Sequence, residues 1–453
     1  MPSLWTELRT GGVLHLFAAR AIQVAALLVA YPFLPRLATD LFAGQPCESY
    51  GDGDDAPQAC RDAHSTAVFA SAVAALVANC FVSLLLNPLM GAWSDVYGRK
   101  PFIVLGFAAT FPSILAYLAA SLGLAPAWTP YAFSAVFDGI SSFSVSQAYI
   151  ADVVSPPNRA MAFGVLTAVI SAALLIGPAV SVVVRDTETA LGIALGGLVV
   201  AVAWLIFMLP ESRITMAAAP MENASILRSL RHALRTPLFR QLAAFGALLS
   251  LCADALMDVV NQQLQVQVRF TPRDQARYYM LYGICGVLVQ AVLMRPLLST
   301  VGERGTIALG FACLSARFIL LATPFLTKDL AFGTAAIGTV AEVIFPALSA
   351  LQANSADDNE QGASQGGLYA ARSVALGVAP LAWAALYRET TRSDRPTSAH
   401  GPELVFMIAA ALAAVGASCA LALPAKPVEE SLPLHGGDDG HNNLREPLLA
   451  SSE

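Results

Sequence analysis

The residues that could do chemistry are charged side chains set inside long apolar runs: Arg20, Asp138, Asp254, Asp258, Arg317, Glu342 and Arg372. A charge at the centre of a bilayer costs about 2.5–3.5 kcal/mol on insertion scales, so such groups face a cavity and a partner. A carboxylate in that position suits proton uptake and release. A guanidinium suits pairing with a carboxylate or with an anionic solute. Glu342 lies in the middle of its run, where apolar surroundings disfavour the charged form, and a structural pair with an Arg is the competing reading. Arg372 is placed to pair with Glu342 or to hold an anionic substrate. Asp254 and Asp258 are four residues apart, so on a helix they share one face and favour a shared proton. Their alternative is a vestibule lining. Asp138, in the first third of its run, is either a proton acceptor or a hydrated group near the outer surface. Arg317 reads as a bundle-facing charge, and Arg20 snorkels if the first run is shifted. Gln147 and Gln290 are candidates for a cavity lining, against the alternative of interhelical glue.

These residues need helices to hold them. Residues 63–94 and 101–137 carry no Asp, Glu, Lys or Arg. A run of about 20 apolar residues crosses a bilayer as a helix. In lipid every span must be helical, because nothing there partners a bare backbone amide. Twelve spans are expected, near residues 12–35, 66–90, 101–122, 129–151, 160–184, 189–209, 238–262, 276–296, 305–326, 330–353, 364–387 and 403–424. The chain is 56% hydrophobic and only 13% charged, with a mean hydropathy of +0.61, against roughly 25% charged in soluble domains. The expected class is an all-α membrane protein. Residues 1–209 form one six-helix bundle and residues 238–424 a second. Residues 210–237 are a linker, and residues 425–453 a polar disordered tail. The first apolar run is long and lacks a small-residue cleavage site, so it is expected to stay as a span.

Loop charge gives an orientation. The loop after the first span is acidic. The hinge at Arg99 and Lys100 and the central segment with Arg213, Arg228, Arg231, Arg235 and Arg240 are basic. Basic loops stay inside, which puts the hinge, the linker and both termini in the cytoplasm. Arg269, Arg273, Arg277, Arg388, Arg392 and Arg395 run against this rule on outer loops. Cys47 and Cys60 share the acidic outer loop, where a disulfide is permitted. The sequon Asn223-Ala224-Ser225 falls on the cytoplasmic linker and should be unused. No G-x-x-x-x-G-K-[ST] loop, metal-ligand spacing, Ser/His/Asp constellation or basic phosphate-binding cluster stands out. No cofactor, metal, nucleotide, nucleic acid or enzymatic activity is expected. A solute, protons and the bilayer are the expected partners of a monomer.

The two halves resemble each other. Residues 160–180 align with 362–382, so that Gly164 meets Gly366, Ser171 meets Ser373 and Pro178 meets Pro380. These are the fifth and eleventh spans. A repeat of six helices puts them in register, with a substrate site near the midplane between halves. Gly164, Gly177 and Pro178 read as helix-packing positions.

Gly91, Asp95, Gly98, Arg99 and Lys100 spell G-x-x-x-D-x-x-G-R-K between spans two and three. This resembles the loop signature of the major facilitator superfamily of secondary transporters. A Gly at each end lets the loop turn, and the Asp can sit against a helix N-terminus. Residues 148–152 (AYIAD) with Arg159, residues 209–212 (LPES), residues 345–351 (FPALSAL) and Arg372 are similar to the hippocampus-abundant-transcript-like and tetracycline-exporter-like branch. The resemblance covers about residues 65–425. It implies a carrier, proton-coupled or facilitative, in which two six-helix bundles rock about a central site. It also implies that Asp95 and Arg99, with Asp152 and Arg159, govern the conformational cycle rather than touch substrate. The second hinge, residues 295–304, keeps only a remnant of the signature. The functional alternatives are a facilitative uniporter and a membrane receptor or chaperone that retains the fold.

Overall fold

The computed structural model describes residues 4–47, 57–181, 183–212, 236–266, 268–270, 272–357, 360–391 and 403–423. The sequon, most of the linker, the tail from residue 425, and Arg392 and Arg395 lie outside them, as do the side chains of Asp258, Arg273 and Arg388.

The described residues form helices and connecting turns without strands. Ten helices are long and apolar enough to cross a membrane. The twelve expected spans map onto them with three differences. Span four is broken: Thr129–Phe137 stops at Asp138, and Phe143–Val153 resumes beyond Gly139 and three non-helical residues. Spans eight and nine are helical from Arg277 to Leu321 except at Gly302, whose non-helical φ 66 and ψ −178 set a kink between the two helices. Glycine tolerates that positive φ, so the remnant hinge separates the two spans within a single residue. Span one reaches Ala43, beyond the expected residue 35, because Pro35 stands in the first turn of Leu34–Ala43, where a missing N–H costs nothing.

Span one packs on spans five and six, and span two on span eleven. One buried cluster runs through both halves, from Leu16, Met90 and Phe163 to Leu242, Phe311 and Ile344. The repeat has a structural counterpart. Gly164 in span five faces Gln290 and Met294 of span eight, while Gly366 in span eleven faces Asn87 and Pro88 of span two. Equivalent glycines thus meet equivalent spans of the other half. Gly177 packs instead on Leu28 and Ala25 of span one, and Pro178 lies inside its helix.

Cys47 and Cys60 are joined by a disulfide, with Cα atoms 6.0 Å apart. The bridge tethers the end of Leu34–Ala43 to the start of Gln58–Val77, opposite the hinge. Closing a loop of about this size contributes roughly 3 kcal/mol. Reduction, or Cys47→Ser, is therefore expected to lower the thermal midpoint of the purified chain. An unchanged melt after reductant would count against a structural bridge.

Candidate functional site

At the hinge, span two ends at Tyr97 and Gly98 adopts φ +95, a turn open to glycine. Gly91 does not turn the chain. It lies inside Leu84–Tyr97, and its missing Cβ leaves room for the backbone carbonyl of Gly362, the second residue of span eleven. The expected role in a turn is corrected to one of close approach.

Asp95 bridges the halves. Its carboxylate accepts the backbone N–H of Gly362 and of Ala363, each at 2.9 Å. These are orphan donors at a helix N-terminus, where negative charge is favoured. Arg99, fully buried, pairs with Asp95 at 2.7 Å and with Asp152 at 2.8 Å, and donates to Ser94 Oγ at 2.7 Å. Burial opposes the charge on Arg99, but Asp95 and Asp152 outweigh it and hold the guanidinium above its ordinary range. Lys100 enters through its backbone. Its N–H and that of Arg99 donate to Glu211, at 3.0 and 2.7 Å. Arg159 makes a second tie between halves, donating to the carbonyl of Ala353 at 2.9 Å and to Asn354 Oδ1 at 3.2 Å, at the end of span ten. Deeper in, Gln147 Nε2 donates to Ser349 Oγ across the same interface at 2.9 Å.

Above these ties a cavity of about 310 Å³ lies between the halves. Ser141, Phe143 and Thr167 of the first half face Asp254, Glu342 and Arg372 of the second. Arg372 does not pair with Glu342. It donates to Asp254 at 2.8 Å and to Ser250 Oγ at 2.9 Å, because span eleven packs on span seven there. Glu342 accepts instead from the hydroxyl of Tyr282, at 2.6 Å. Gln290 Nε2 donates to the Glu342 backbone carbonyl at 3.0 Å. Asp254 ends a π-turn, Ser250–Asp254, and Asp258 follows in Met257–Val266. Ala255 and Leu256 between the two are not helical, and Asp254 pairs with Arg372, while the Asp258 side chain lies outside those described. Asp138, at the break in span four, accepts from Ser113 Oγ of span three at 2.7 Å and is not part of the cavity wall. Arg20 does not snorkel. It is buried against Gln23, Ser142 and Ser146. Arg317 faces the cavity and donates to the Tyr278 hydroxyl at 3.1 Å.

Three contributors were not singled out by sequence. Glu211 lies in the LPES stretch, but the hinge amides it accepts from are more than a hundred residues away. Tyr282 and Ser349 sit in apolar runs, and only packing reveals what they touch.

Residues 16–380 match the sequence profile of the Major Facilitator Superfamily. The chain is 26% identical over 322 residues to the Hippocampus abundant transcript 1 protein of Homo sapiens, covering 66% of this chain and 62% of that one. It is 29% identical over 317 residues to the human Hippocampus abundant transcript-like protein 1, covering 66% and 60%. The chain thus spans about three fifths of the length of these relatives. The class C tetracycline resistance protein of Escherichia coli is 26% identical over 341 residues, covering 72% of this chain and 82% of that one. Among solved structures, the human organic anion transporter MFSD10 (TETRAN) superposes with a TM-score of 0.71 at 19% identity, covering 93% of this chain and all of that one. The E. coli fucose:proton symporter superposes with a TM-score of 0.62 at 11% identity, covering 89% and 98%. At these identities the structural likeness speaks for fold alone.

Proposed function

This chain belongs to the Major Facilitator Superfamily, and from that premise we propose that it moves a small solute across a membrane by alternating access coupled to protons. It is a multi-pass integral membrane protein with the major facilitator fold. The observation that carries the reading is a charged cavity between two helical halves, sealed at one end by ties that a rocking motion would break. Residues 1–209 and 238–424 are the two moving bodies, residues 210–237 the link between them, and a single chain suffices. Asp95 and Arg159 latch the hinge end, so the state described is closed there.

The disulfide lies at the other end of span two from the hinge. Disulfides persist in oxidising compartments, which supports a hinge and termini facing the cytoplasm. Labelling of a Cys introduced at Ser225 by an impermeant reagent in intact cells would overturn that orientation.

The test of transport is solute uptake into proteoliposomes, with and without an imposed pH gradient, across a broad metabolite panel. Accumulation that follows the gradient is expected. Uptake that never exceeds equilibration would reduce the protein to a uniporter, and no uptake of any solute would leave a receptor or chaperone.

Asp95→Asn tests the latch. The amide keeps one acceptor oxygen but loses the charge that satisfies Arg99. It is expected to slow turnover by roughly tenfold, about 1.4 kcal/mol, while equilibrium solute binding changes little. A large loss of affinity at unchanged turnover would contradict it.

A further inference from the structure

We propose that the solute is a small organic monoanion, and that Arg20 is the cation it neutralises once the rings of Phe143, Phe345 and Tyr369 part. The proposal rests on the transport reading above.

Arg20 is 7% exposed. Its hydrogen bonds go to neutral atoms only: Gln23 Oε1 at 2.7 Å, Ser142 Oγ at 3.1 Å and Ser146 Oγ at 3.2 Å. Its Nε has no partner. Among the described residues no carboxylate forms an ion pair with it, whereas Arg99 and Arg372 have theirs. A buried cation without a counter-charge is costly, so it needs one at some point in the cycle.

The surroundings say where that charge arrives from. The Arg20 guanidinium lies 4.2 Å from the centroid of Phe107 and 5.4 Å from that of Phe143. Phe143 is also part of the cavity wall. Its ring stands 6.1 Å from Phe345 and 5.5 Å from Tyr369, which are 5.7 Å from each other. Arg372 sits 4.1 Å over Phe345 and 5.4 Å over Tyr369. Rings from both halves thus stand with one guanidinium against Phe143 and another against the other two. Arg20, Phe143, Phe345 and Tyr369 lie seven to ten residues from the hinge-side ends of their helices, at Val13, Val153, Ser355 and Gln361. At 1.5 Å per residue that is roughly 10–15 Å, near the middle of a bilayer core.

Charge then sets the class of solute. Arg317, which like Arg20 has no ion pair among the described residues, and Arg372 face the cavity with Asp254 and Glu342, two cations against two acids while Glu342 is ionised. Arg20 is the surplus, and one negative charge on the solute balances it. The aromatic wall suits an apolar or flat body. Phe143 belongs to the first half, and Phe345 and Tyr369 to the second, so rocking open at the hinge end separates the rings and uncovers Arg20. An anion first held at Arg372 then passes to Arg20.

The experiment is a thermal-shift titration of the purified full chain with benzoate, lactate and hexanoate, each against its neutral amide. At least one acid is expected to stabilise saturably, and its amide not. Arg20→Gln should weaken that acid's apparent affinity at least tenfold, and Arg20→Lys less. Without ligand, Arg20→Gln should melt higher than the parent, since a costly charge is gone, whereas a merely structural Arg20 would make it melt lower. Failure of Arg20→Gln to fold would mark Arg20 as structural and count against the proposal, and an unchanged affinity in both Arg20→Gln and Arg20→Lys overturns it. Equal stabilisation by acid and amide, or by none of the six compounds, also overturns it. Binding of an acid without uptake of it into proteoliposomes would refute the transport reading and keep the site. Uptake with no preference for acids over amides would keep transport and refute the site.

Discussion

Gly91→Val is expected to abolish net uptake while leaving the protein folded and inserted. A Cβ at position 91 would run into the carbonyl of Gly362, and one at 362 would meet Gly91, Arg99 and Ser94 in turn. The two backbones come together here because neither carries a side chain. Valine fits a membrane helix well, so the helix survives and only the approach is blocked. Forcing spans two and eleven apart also pulls Gly362 and Ala363 off the Asp95 carboxylate. Hydrogen bonds to a charged group contribute about 1.5–3 kcal/mol each, so losing two shifts the closed population by roughly a hundredfold or more. Ser349, fully buried beneath the latch, reports that shift. A Cys placed there should react with a maleimide much faster in the Gly91→Val background. Gly91→Ala should give a partial loss. Wild-type uptake by Gly91→Val, with no gain in labelling at 349, would mean that the hinge ends need not meet during the cycle.

The hinge could be read from sequence because its chemistry is local. Asp95, Gly98 and Arg99 lie within one turn of chain, and polar residues between two apolar runs admit few roles. The partners could not be read. Gly362 and Asn354 meet the hinge and Arg159 from the other half of the chain, and a single sequence carries no record of that pairing. For the same reason sequence leaves Arg372 to pair with Glu342 or hold an anionic substrate, whereas span packing turns it toward Asp254. Periodicity failed where the helix departs from 3.6 residues per turn. The π-turn at Ser250–Asp254 and the break after Asp138 are such departures, and spacing alone does not report them. Both border the cavity, through Ala253, Asp254 and Ser141, where non-helical backbone is tolerated inside a membrane.

Glu342→Gln is expected to abolish accumulation driven by a pH gradient, by tenfold or more, yet preserve exchange of solute at equal pH. If protons drive the cycle, a buried acid must change charge between the two states. Glu342 is suited to this because its partner is neutral: the Tyr282 hydroxyl at 2.6 Å, with Arg372 already held by Asp254. A proton can then come and go without breaking an ion pair. Val340–Val343 is a 3₁₀ turn, and the Gln290 amide braces its carbonyl at residue 342. That geometry keeps the carboxyl aimed into the cavity, where Ser141 and Phe143 of the other half face it. Glutamine mimics the protonated acid, so the variant should cycle loaded but never release a proton. Tyr282→Phe should move the pH profile of uptake while leaving accumulation measurable, since the acid itself remains. Glu342→Ala gives the sharper contrast. If it accumulates solute against a gradient with an unchanged pH profile, Glu342 is structural and the proton site moves to Asp254 or Asp138. Asp254 then becomes the stronger candidate, because an anion drawn to Arg372 would displace its carboxylate and leave it free to take the proton.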